Sequence, residues 1–451
     1  MENELKRNKM GTEPVLKLIF TMSLPTMFSM LIQALYNVVD SIFVARVGDN
    51  ALTAVSLAFP LQMLLIAVGI GSAVGVNSLI SRLLGQGEKK QASDVAAHGI
   101  IIAFAAWVIF LLLGLFAMKP FFGMYTDVEE ILNYGVDYGS VVLIFSFGFA
   151  FEVMIEKELQ ATGNMLFPML FQLVGAVTNL ILDPLFIFGI GPFPRLEVKG
   201  AAVATVIGQI ASMIFAVCVM FIGKHEIHIS FKGFRLRAYY LKNIFAVGVP
   251  AMIMQSISSF MVLALNGILI SLSQAAVSVL GIYYKLQSFV FMPVFGLNQG
   301  VMPIIGYNYG ARNRKRLLSA MKWALCIATV IMTVGTIVFM AAPKQLLMLF
   351  SDSQDILDIG VTALRTISLC FIPAGMSIIF STVFQAVGKG LSSLLISVLR
   401  QLVFILPIAY VLSKFGVDYV WAAFPIAEVF SFIFAAVLIV RLKNKTLSKL
   451  D

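Results

Sequence analysis

Long apolar stretches follow one another along the whole chain, separated by short polar segments. Each runs for about 20 residues or more, the length that a helix needs to cross the hydrocarbon core of a bilayer. They lack the alternation of apolar and polar residues that a membrane β-barrel requires, so we predict helices. The twelve predicted spans lie near residues 16–44, 51–81, 95–118, 131–155, 165–190, 200–222, 241–270, 275–304, 318–342, 356–384, 392–413 and 418–440.

The composition agrees with a chain that folds in lipid. Of its 451 residues, 60% are hydrophobic and only 12% are charged. A soluble domain is about 45–50% apolar and about 25% charged, so a soluble fold would lack the interior to hide this much apolar surface. In lipid, only helices and closed barrels satisfy the backbone. We therefore predict an all-α polytopic membrane protein.

The basic residues between the spans predict the orientation of the chain. With both termini placed inside, 23 lysine and arginine residues lie on the inner side, six lie on the outer side and three fall within spans. Basic residues collect in cytoplasmic loops, so both termini are expected in the cytoplasm and the number of spans is even. The net charge of +9 then reflects orientation, and no nucleic acid partner is expected.

The second half of the chain repeats the first at an offset of 225 residues. Pro25 aligns with Pro250 and Gly75 with Gly300, and residues 160–163 (QATG) align with 385–388 (QAVG). Each copy holds six spans, so both copies enter and leave on the same side as parallel repeats. The predicted division is an amino-terminal lobe at 1–222, a cytoplasmic linker at 223–240 and a carboxy-terminal lobe at 241–451.

A few ionisable residues fall inside the predicted spans. A charge at the bilayer centre costs about 2.5–3.5 kcal/mol on insertion scales, so each of them is a candidate for function. For the basic ones, two interpretations stay open, which are lining a cavity and pairing with an acid such as Glu428. Near Glu152, pairing among neighbouring charges is expected. The residues are Asp40, Glu152, Asp183, Lys285, Arg365, Arg400 and Glu428.

Asp40 and Asp183 are the strongest candidates for ion chemistry. Asn179 and Asp183 are four residues apart and share a helix face, and Pro184 removes a backbone donor beside them. A proton or cation site is predicted, with carboxylates at the water interface as the alternative. Asp40 aligns with Leu265 in the second copy, so the acid chemistry is predicted in the amino-terminal lobe.

Other motifs predict little chemistry. The matched prolines Pro25 and Pro250 are either static kinks or hinges. His225 and His228 have a metal-like spacing but no further partner, so no metal site is expected. The chain has no Walker motif, so neither ATP nor another cofactor is expected to drive it, and no enzymatic activity is predicted.

Several strings resemble one transporter family. They are SLPTMFSMLIQALYNVVDSIFVARVG in the first span, SRLLGQGEKKQA after the second, LQATGNMLFP after the fourth and NLILDPLFIFG in the fifth. With them the whole chain resembles the multidrug and toxic compound extrusion (MATE) transporters, especially the bacterial branch of DinF-like proteins.

The resemblance implies two six-helix lobes around a central cleft, and export of cationic or amphipathic organic compounds in exchange for protons or sodium ions. In similar members the residues matching Asp40, Asn179 and Asp183 form a cation site, which a tyrosine and a threonine matching Tyr138 and Thr205 often join. Members with a carboxy-terminal sodium site carry acids in the seventh and tenth helices, where this chain offers only Gln255. Protons are therefore favoured. The residues expected to line the cleft are Asn37, Gln255, Tyr284, Lys285 and Arg365.

The sequence thus predicts a secondary active multidrug antiporter that exports small organic cations, with H⁺ or Na⁺ as the coupling ion. One alternative is a flippase for lipid-linked oligosaccharides, which the basic residues in the carboxy-terminal spans leave open. The other is a sodium-coupled drug antiporter. A monomer surrounded by lipid in the cell membrane is expected.

Overall fold

The computed structural model describes residues 8–223 and 225–450, without the side chains of 36–38, 40–42, 44, 45 and 49. Its helices are α1 Lys9–Thr12, α2 Val15–Ala45, α3 Asp49–Gly85, α4 Lys89–Phe116, α5 Met118–Gly123, α6 Glu129–Ile144, α7 Phe147–Ala161, α8 Leu166–Phe188, α9 Glu197–Ile222, α10 Ala238–Ile270, α11 Gln274–Gly310, α12 Arg314–Ala341, α13 Pro343–Met348, α14 Gln354–Ser368, α15 Phe371–Ala386, α16 Gly390–Val398, a π-helical segment Leu399–Ile405, α17 Leu406–Ser413, α18 Val417–Val420, α19 Ala423–Lys445 and a short 3₁₀ turn Leu447–Leu450. The predicted all-α class is confirmed, because the described residues contain no strand.

The described helices account for the predicted spans. Ten are long and apolar enough to cross a membrane, and two further spans are each built from a pair of helices that meet at a bend. The bend is 43° between α6 and α7 and 48° between α14 and α15. These pairs stand at equivalent places in the two copies, so the fourth and tenth spans are both broken. The protein is a multi-pass membrane protein with up to twelve spans.

The chain divides into two compact units whose boundaries lie inside helices. Unit 1 comprises Met1–Met27 and Ile253–Asp451, and unit 2 comprises Phe28–Met252. The breaks fall in α2 and α10, two residues after Pro25 and Pro250, and they differ by the repeat offset. Each copy's first helix therefore begins in the unit that the other copy builds. The predicted lobes at 1–222 and 241–451 are a different division, and their part in transport stays a prediction.

In each unit, glycines at matched positions allow close packing against the first half of the helix contributed by the other copy. We call these first halves of α2 and α10 the exchanged helix halves. In unit 2, a Cβ added to Gly71 would lie 2.7 Å from the backbone nitrogen of Met252, and one on Gly75 would lie 2.3 Å from the Ile244 carbonyl oxygen. In unit 1, a Cβ on Gly296 would lie 2.5 Å from the Cα of Met27. Gly71 and Gly296 differ by 225 residues, as do Met27 and Met252. The two copies therefore use the same backbone contact.

The segments that precede α2 and α10 form hydrogen bonds with the same unit as the first half of the helix that follows. In unit 1, the Arg316 guanidinium donates to the carbonyl oxygens of Met10, at 3.1 Å, and Glu13, at 2.6 Å. In unit 2, His98 Nδ1 lies 2.7 Å from the Asp94 carbonyl, and Nε2 accepts the backbone N–H of Arg237 at 2.9 Å. A carbonyl can only accept, so His98 is a neutral Nδ1–H imidazole in this arrangement. The segment before α2 is thus held by the cationic Arg316, and the equivalent segment before α10 is held by the neutral His98.

Candidate functional site

The site predicted in the fifth span lies where α8 packs against α9 in unit 2. Gly208 makes the close approach possible, since a Cβ there would lie 2.8 Å from the Gly175 carbonyl oxygen and 3.2 Å from the Cβ of Asn179. Gly200 does the same near the other end of α9, where a Cβ would lie 2.5 Å from the Phe186 carbonyl oxygen. Small residues of this kind allow membrane helices to approach at their backbones. The polar face of α8 therefore packs closely against α9.

Asn179, Asp183 and Thr205 come together at this interface. The amide nitrogen of Asn179 donates to the hydroxyl oxygen of Thr205 at 3.1 Å. Asn179 is 2% exposed and Asp183 is 1% exposed, so both are buried. Within the described part of the chain, Asn179 Oδ1 has no hydrogen-bond partner. An amide oxygen, a hydroxyl and a carboxyl on adjacent helix faces are the oxygen ligands that a proton or a small hard cation requires.

Pro184 adds one more acceptor beside Asp183. It lies inside α8, where its ring lacks the N–H that would bond to the carbonyl of residue 180. A helix carbonyl without its usual partner can accept from a ligand or from water. The sequence predicted this feature, and the structure keeps α8 helical through the proline.

Tyr138 lies close to the site, and its hydroxyl accepts a hydrogen bond from a neighbouring helix. Gln62 on α3 donates to it at 2.6 Å, and the tyrosine is 4% exposed. Tyr138 belongs to the same apolar cluster as Ile187 and Ala201, each one turn from a site residue on its helix. Gln62 was missed by sequence reasoning. Its signal was a single amide within a long apolar span. The role of Tyr138 in ion binding stays a prediction.

The side chains of Asp40 and Asn37 lie outside the described residues. Both positions are on α2, and their helix is placed by a neighbour that is described. Phe43 packs against Phe188 of α8 with ring centroids 6.3 Å apart. Phe43 follows Asp40 by three residues, and Phe188 follows Asp183 by five. The end of α2 therefore runs beside the part of α8 that carries the site.

A second polar cluster lies in α7. Lys157 Nζ is 2.8 Å from Glu156 Oε1 and donates to Gln160 at 3.0 Å, while Gln172 of α8 donates to Glu156 at 2.9 Å. The expected pairing of neighbouring charges is confirmed for Glu156 and Lys157. Glu158 is fully buried, and neither of its carboxyl oxygens has a hydrogen-bond partner among the residues described.

The candidate cleft residues of unit 1 are spread over separate contacts. Lys285 is exposed, with Nζ 5.8 Å from the centroid of the Phe350 ring. Arg365 is exposed and donates to the Met340 carbonyl oxygen at 3.3 Å. Gln255 is exposed on α10, whereas the Tyr284 hydroxyl is buried and unbonded among the described groups. The pairing expected for Glu428 is confirmed, with Arg400 as its partner at 3.8 Å. A role in substrate binding stays a prediction.

The chain is similar in sequence to characterised transporters. It is 29% identical over 432 residues to a FAD transporter of Shewanella oneidensis, with 94% of each chain covered. It is 26% identical over 434 residues to the multidrug export protein MepA of Staphylococcus aureus, with 96% of this chain and 95% of the relative covered.

Solved structures give the same result for the fold. The chain superposes with a TM-score of 0.92, at 28% identity and over all of both chains, on an outward-facing multidrug resistance MATE transporter of the MOP superfamily. It superposes with a TM-score of 0.91, at 28% identity and over 98% of this chain and 100% of the other, on a MOP superfamily transporter from Pyrococcus furiosus described as having a binding pocket of reversed polarity.

The family model named MatE matches residues 25–185 and again residues 250–411. The two matches begin 225 residues apart, so the family model matches each copy of the repeat once. Together they cover well over half of the chain, with the same helical architecture in the superposed structures. The chain belongs to the MatE family of multidrug transporters.

Proposed function

We propose that this protein exports organic compounds by proton-coupled antiport, with Asp40 and Asp183 as the proton carriers. The family and its multidrug relatives give the general function as drug efflux across the plasma membrane. The observation that carries the finer proposal is the buried site formed by Asn179, Asp183 and Thr205. A buried carboxyl on the same helix face as the unbonded amide oxygen of Asn179 is a place where a proton or cation can exchange with another positive charge.

The coupling follows from competition for one charged state. In the outward-facing state, Asp40 and Asp183 take up protons, which removes the negative charge that holds an organic cation. The substrate leaves, and the lobes turn inward with α2 bending at Pro25 and α10 at Pro250. The proton escapes to the cytoplasm, and the restored charge binds the next substrate. Each ligand weakens the other, which is the thermodynamic requirement for exchange.

Protons are favoured over sodium by the residues of the second copy. The seventh span offers Gln255 and the tenth carries acids only as the exposed Asp355 and Asp358 near its start, so a buried carboxy-terminal sodium site lacks its acids. Sodium at the site in unit 2 is the rival for the same residues. Placement in the DinF-like branch, cytoplasmic termini, a monomeric state and the absence of any cofactor or enzymatic step belong to the same proposal.

An anionic substrate is the second candidate. The 29% identical relative is named a FAD transporter, and flavin adenine dinucleotide carries a negatively charged pyrophosphate. The spans of unit 1 hold Lys285, Arg365 and Arg400, of which Arg400 pairs with the buried acid Glu428, whereas the site in unit 2 contains the acid Asp183. A basic interior also suits the phosphate of a lipid-linked sugar, so the flippase alternative would use the same residues.

The test reconstitutes the purified protein in liposomes and follows ethidium movement under a proton gradient or a sodium gradient alone. Asp40→Asn and Asp183→Asn are expected to reduce gradient-driven movement to that of empty liposomes. Asp137→Asn is the matched control, because Asp137 is exposed and forms only a loose 3.8 Å pair with Lys199. Full proton-driven transport by both site variants would contradict the proposal, and transport driven by sodium alone would favour the rival ion.

A further inference from the structure

A π-helical segment interrupts the eleventh span at Arg400 and Gln401. It covers Leu399–Ile405 and lies between α16 and α17, near the middle of the span Gly390–Ser413. A π-helical turn shifts the hydrogen-bond register and is frequently found at functional sites. The segment packs against α19, which carries Glu428. The local irregularity therefore coincides with an arginine and an acid in the interior of unit 1.

The ion pair formed there is loose and open on one side. Arg400 Nη1 lies 3.8 Å from Glu428 Oε2, beyond hydrogen-bonding distance for these two atoms. The Arg400 side chain is 23% exposed, whereas that of Glu428 is 5% exposed. By contrast, Lys157 and Glu156 in unit 2 are 2.8 Å apart and both buried. An arginine at mid-membrane is costly in contact with hydrocarbon, so its exposed part is expected to face water.

Polar groups around the pair have hydrogen-bonding capacity to spare. Among the described groups, the amide oxygen of Gln401, next to Arg400 in the chain, and the hydroxyl of Tyr284 have no hydrogen bond, and the Glu428 carboxyl has the hydroxyl of Ser377 beside it. Glu428 is 4% exposed and Gln401 is 2% exposed. Buried polar atoms are nearly always hydrogen-bonded, and a cluster of exceptions calls for a ligand, an ion or water. The ion pair therefore lies among polar groups that can still form hydrogen bonds with a ligand.

We propose that Arg400 binds the anionic group, a phosphate or carboxylate, of a transported organic compound, and that Glu428 is its exchangeable counter-ion. Without ligand, Glu428 neutralises Arg400. When an anion takes its place, Glu428 takes up a proton from water, so the interior keeps its charge for a singly charged anion and gains one negative charge for a doubly ionised phosphate. The proposal rests on the transport function above and supplies its anionic substrate class. The arginine is suited to the task because its planar fork can bind both oxygens of such a group.

Proton uptake and anion binding then favour each other. The charged and titratable groups facing Glu428 are Arg400 from the π-helical segment, Tyr283 from α11 and Cys370 at the bend before α15, with the hydroxyl of Ser377 beside the carboxyl. Of these, Arg400 is the only positive charge. Anion affinity should therefore fall as the pH rises and Glu428 holds Arg400 more firmly.

The experiment compares riboflavin with riboflavin 5′-phosphate (FMN), two fluorescent flavins that differ by one phosphate. Binding to the full chain in phosphatidylcholine nanodiscs is measured by fluorescence at pH 7 and pH 9, where the phosphate is mostly doubly ionised because its second pKa is about 6. The wild type is expected to prefer FMN and to bind it more tightly at pH 7. Equal binding of the two flavins would overturn the proposal.

Arg400→Gln should lower FMN affinity by about tenfold or more, because a charge-assisted hydrogen bond is lost, and should leave riboflavin binding unchanged. Lys414→Gln is the control, since Lys414 is an exposed cation at the end of α17 that lies over the Tyr410 ring. The double variant Arg400→Gln with Glu428→Gln removes the pair without stranding a charge. If it binds FMN as the wild type does, the single variant acted through misfolding and the proposal fails.

Glu428→Gln should bind FMN at pH 9 as tightly as the wild type does at pH 7, and retained wild-type pH dependence would contradict the exchange. Adding phosphatidylglycerol distinguishes two sources of phosphate. Competition that requires Arg400 assigns the site to a lipid headgroup, and its absence assigns it to the solute. Asp183→Asn should keep the FMN preference, so a failure of proton coupling is recognised separately.

Discussion

The two units share a scaffold but differ in the charge they bury. Unit 2 buries Asp183 and Asn179 on one helix face, and Asn179 donates to Thr205 of α9. Unit 1 places Arg400 against Glu428 and leaves further basic residues exposed. The packing of the exchanged helices is the same in both. The two copies therefore share an architecture and differ in the charged residues that they bury.

The largest difference should appear in cation export. Asp183→Asn is expected to abolish proton-driven ethidium transport, because the proposed exchange requires both Asp40 and Asp183 and the buried site on α8 loses its carboxyl. Glu428→Gln is expected to retain most of it, since Glu428 belongs to the other unit. Transport rates in proteoliposomes, normalised to reconstituted protein, measure both. Equal losses in the two variants would mean that both units carry the coupling proton.

The next largest effect is a loss of stability, which should be similar for equivalent substitutions in the two copies. Gly75→Val and Gly300→Val each place a side chain against backbone, since a Cβ would approach Ile244 O to 2.3 Å in one case and Ser23 Cα to 2.8 Å in the other. Overpacking of this kind costs about 1–3 kcal/mol, so both variants should melt at lower temperature by similar amounts. Gly281→Val is the control, with open space around it. Destabilisation by only one of the pair would break the equivalence of the copies.

Loss of the hydrogen bonds that hold the segments before α2 and α10 should raise hydrogen exchange only in the segment concerned. His98→Ala leaves the Arg237 N–H without its acceptor, and Arg316→Ala removes donors to Met10 and Glu13. Each change is expected to cost about 1–3 kcal/mol. Hydrogen exchange should rise at 227–240 in the first variant and at 8–13 in the second. Lys315→Ala, at an exposed neighbour of Arg316, should leave both segments protected. If either variant exchanges faster in both segments, the hydrogen bonds of His98 and those of Arg316 are not independent.

The smallest effect is a gain in stability. Gly281 lies inside α11, and a Cβ there would meet no atom within 4 Å. Gly281→Ala should stabilise the protein by about 0.5–1 kcal/mol because alanine loses less conformational entropy in a helix. Gly296→Ala should lower the melting temperature instead, since its Cβ would lie 2.5 Å from Met27 Cα. A gain for both would contradict the close packing described for unit 1.

The sequence predicted the helical spans and much of the acidic site. Asn179 and Asp183 were assigned to one face by their spacing, which is a property of a single helix. Thr205 was suggested by family resemblance, and its hydrogen bond to Asn179 appears in the structure. Gln62 was not found, because its bond to Tyr138 joins α3 to α6 and nothing along the chain marks such a pair.

By itself the sequence determined the helical spans, the parallel repeat and the places where charge enters the membrane, because the bilayer selects length and hydropathy residue by residue. Only the tertiary structure decided which helix halves each unit packs, that Gly71 and Gly296 make equivalent backbone contacts, and that a π-helical turn sets Arg400 against Glu428. The reason is physical. Crossing a membrane is a local property of a segment, whereas close packing and ion pairing depend on which segments meet.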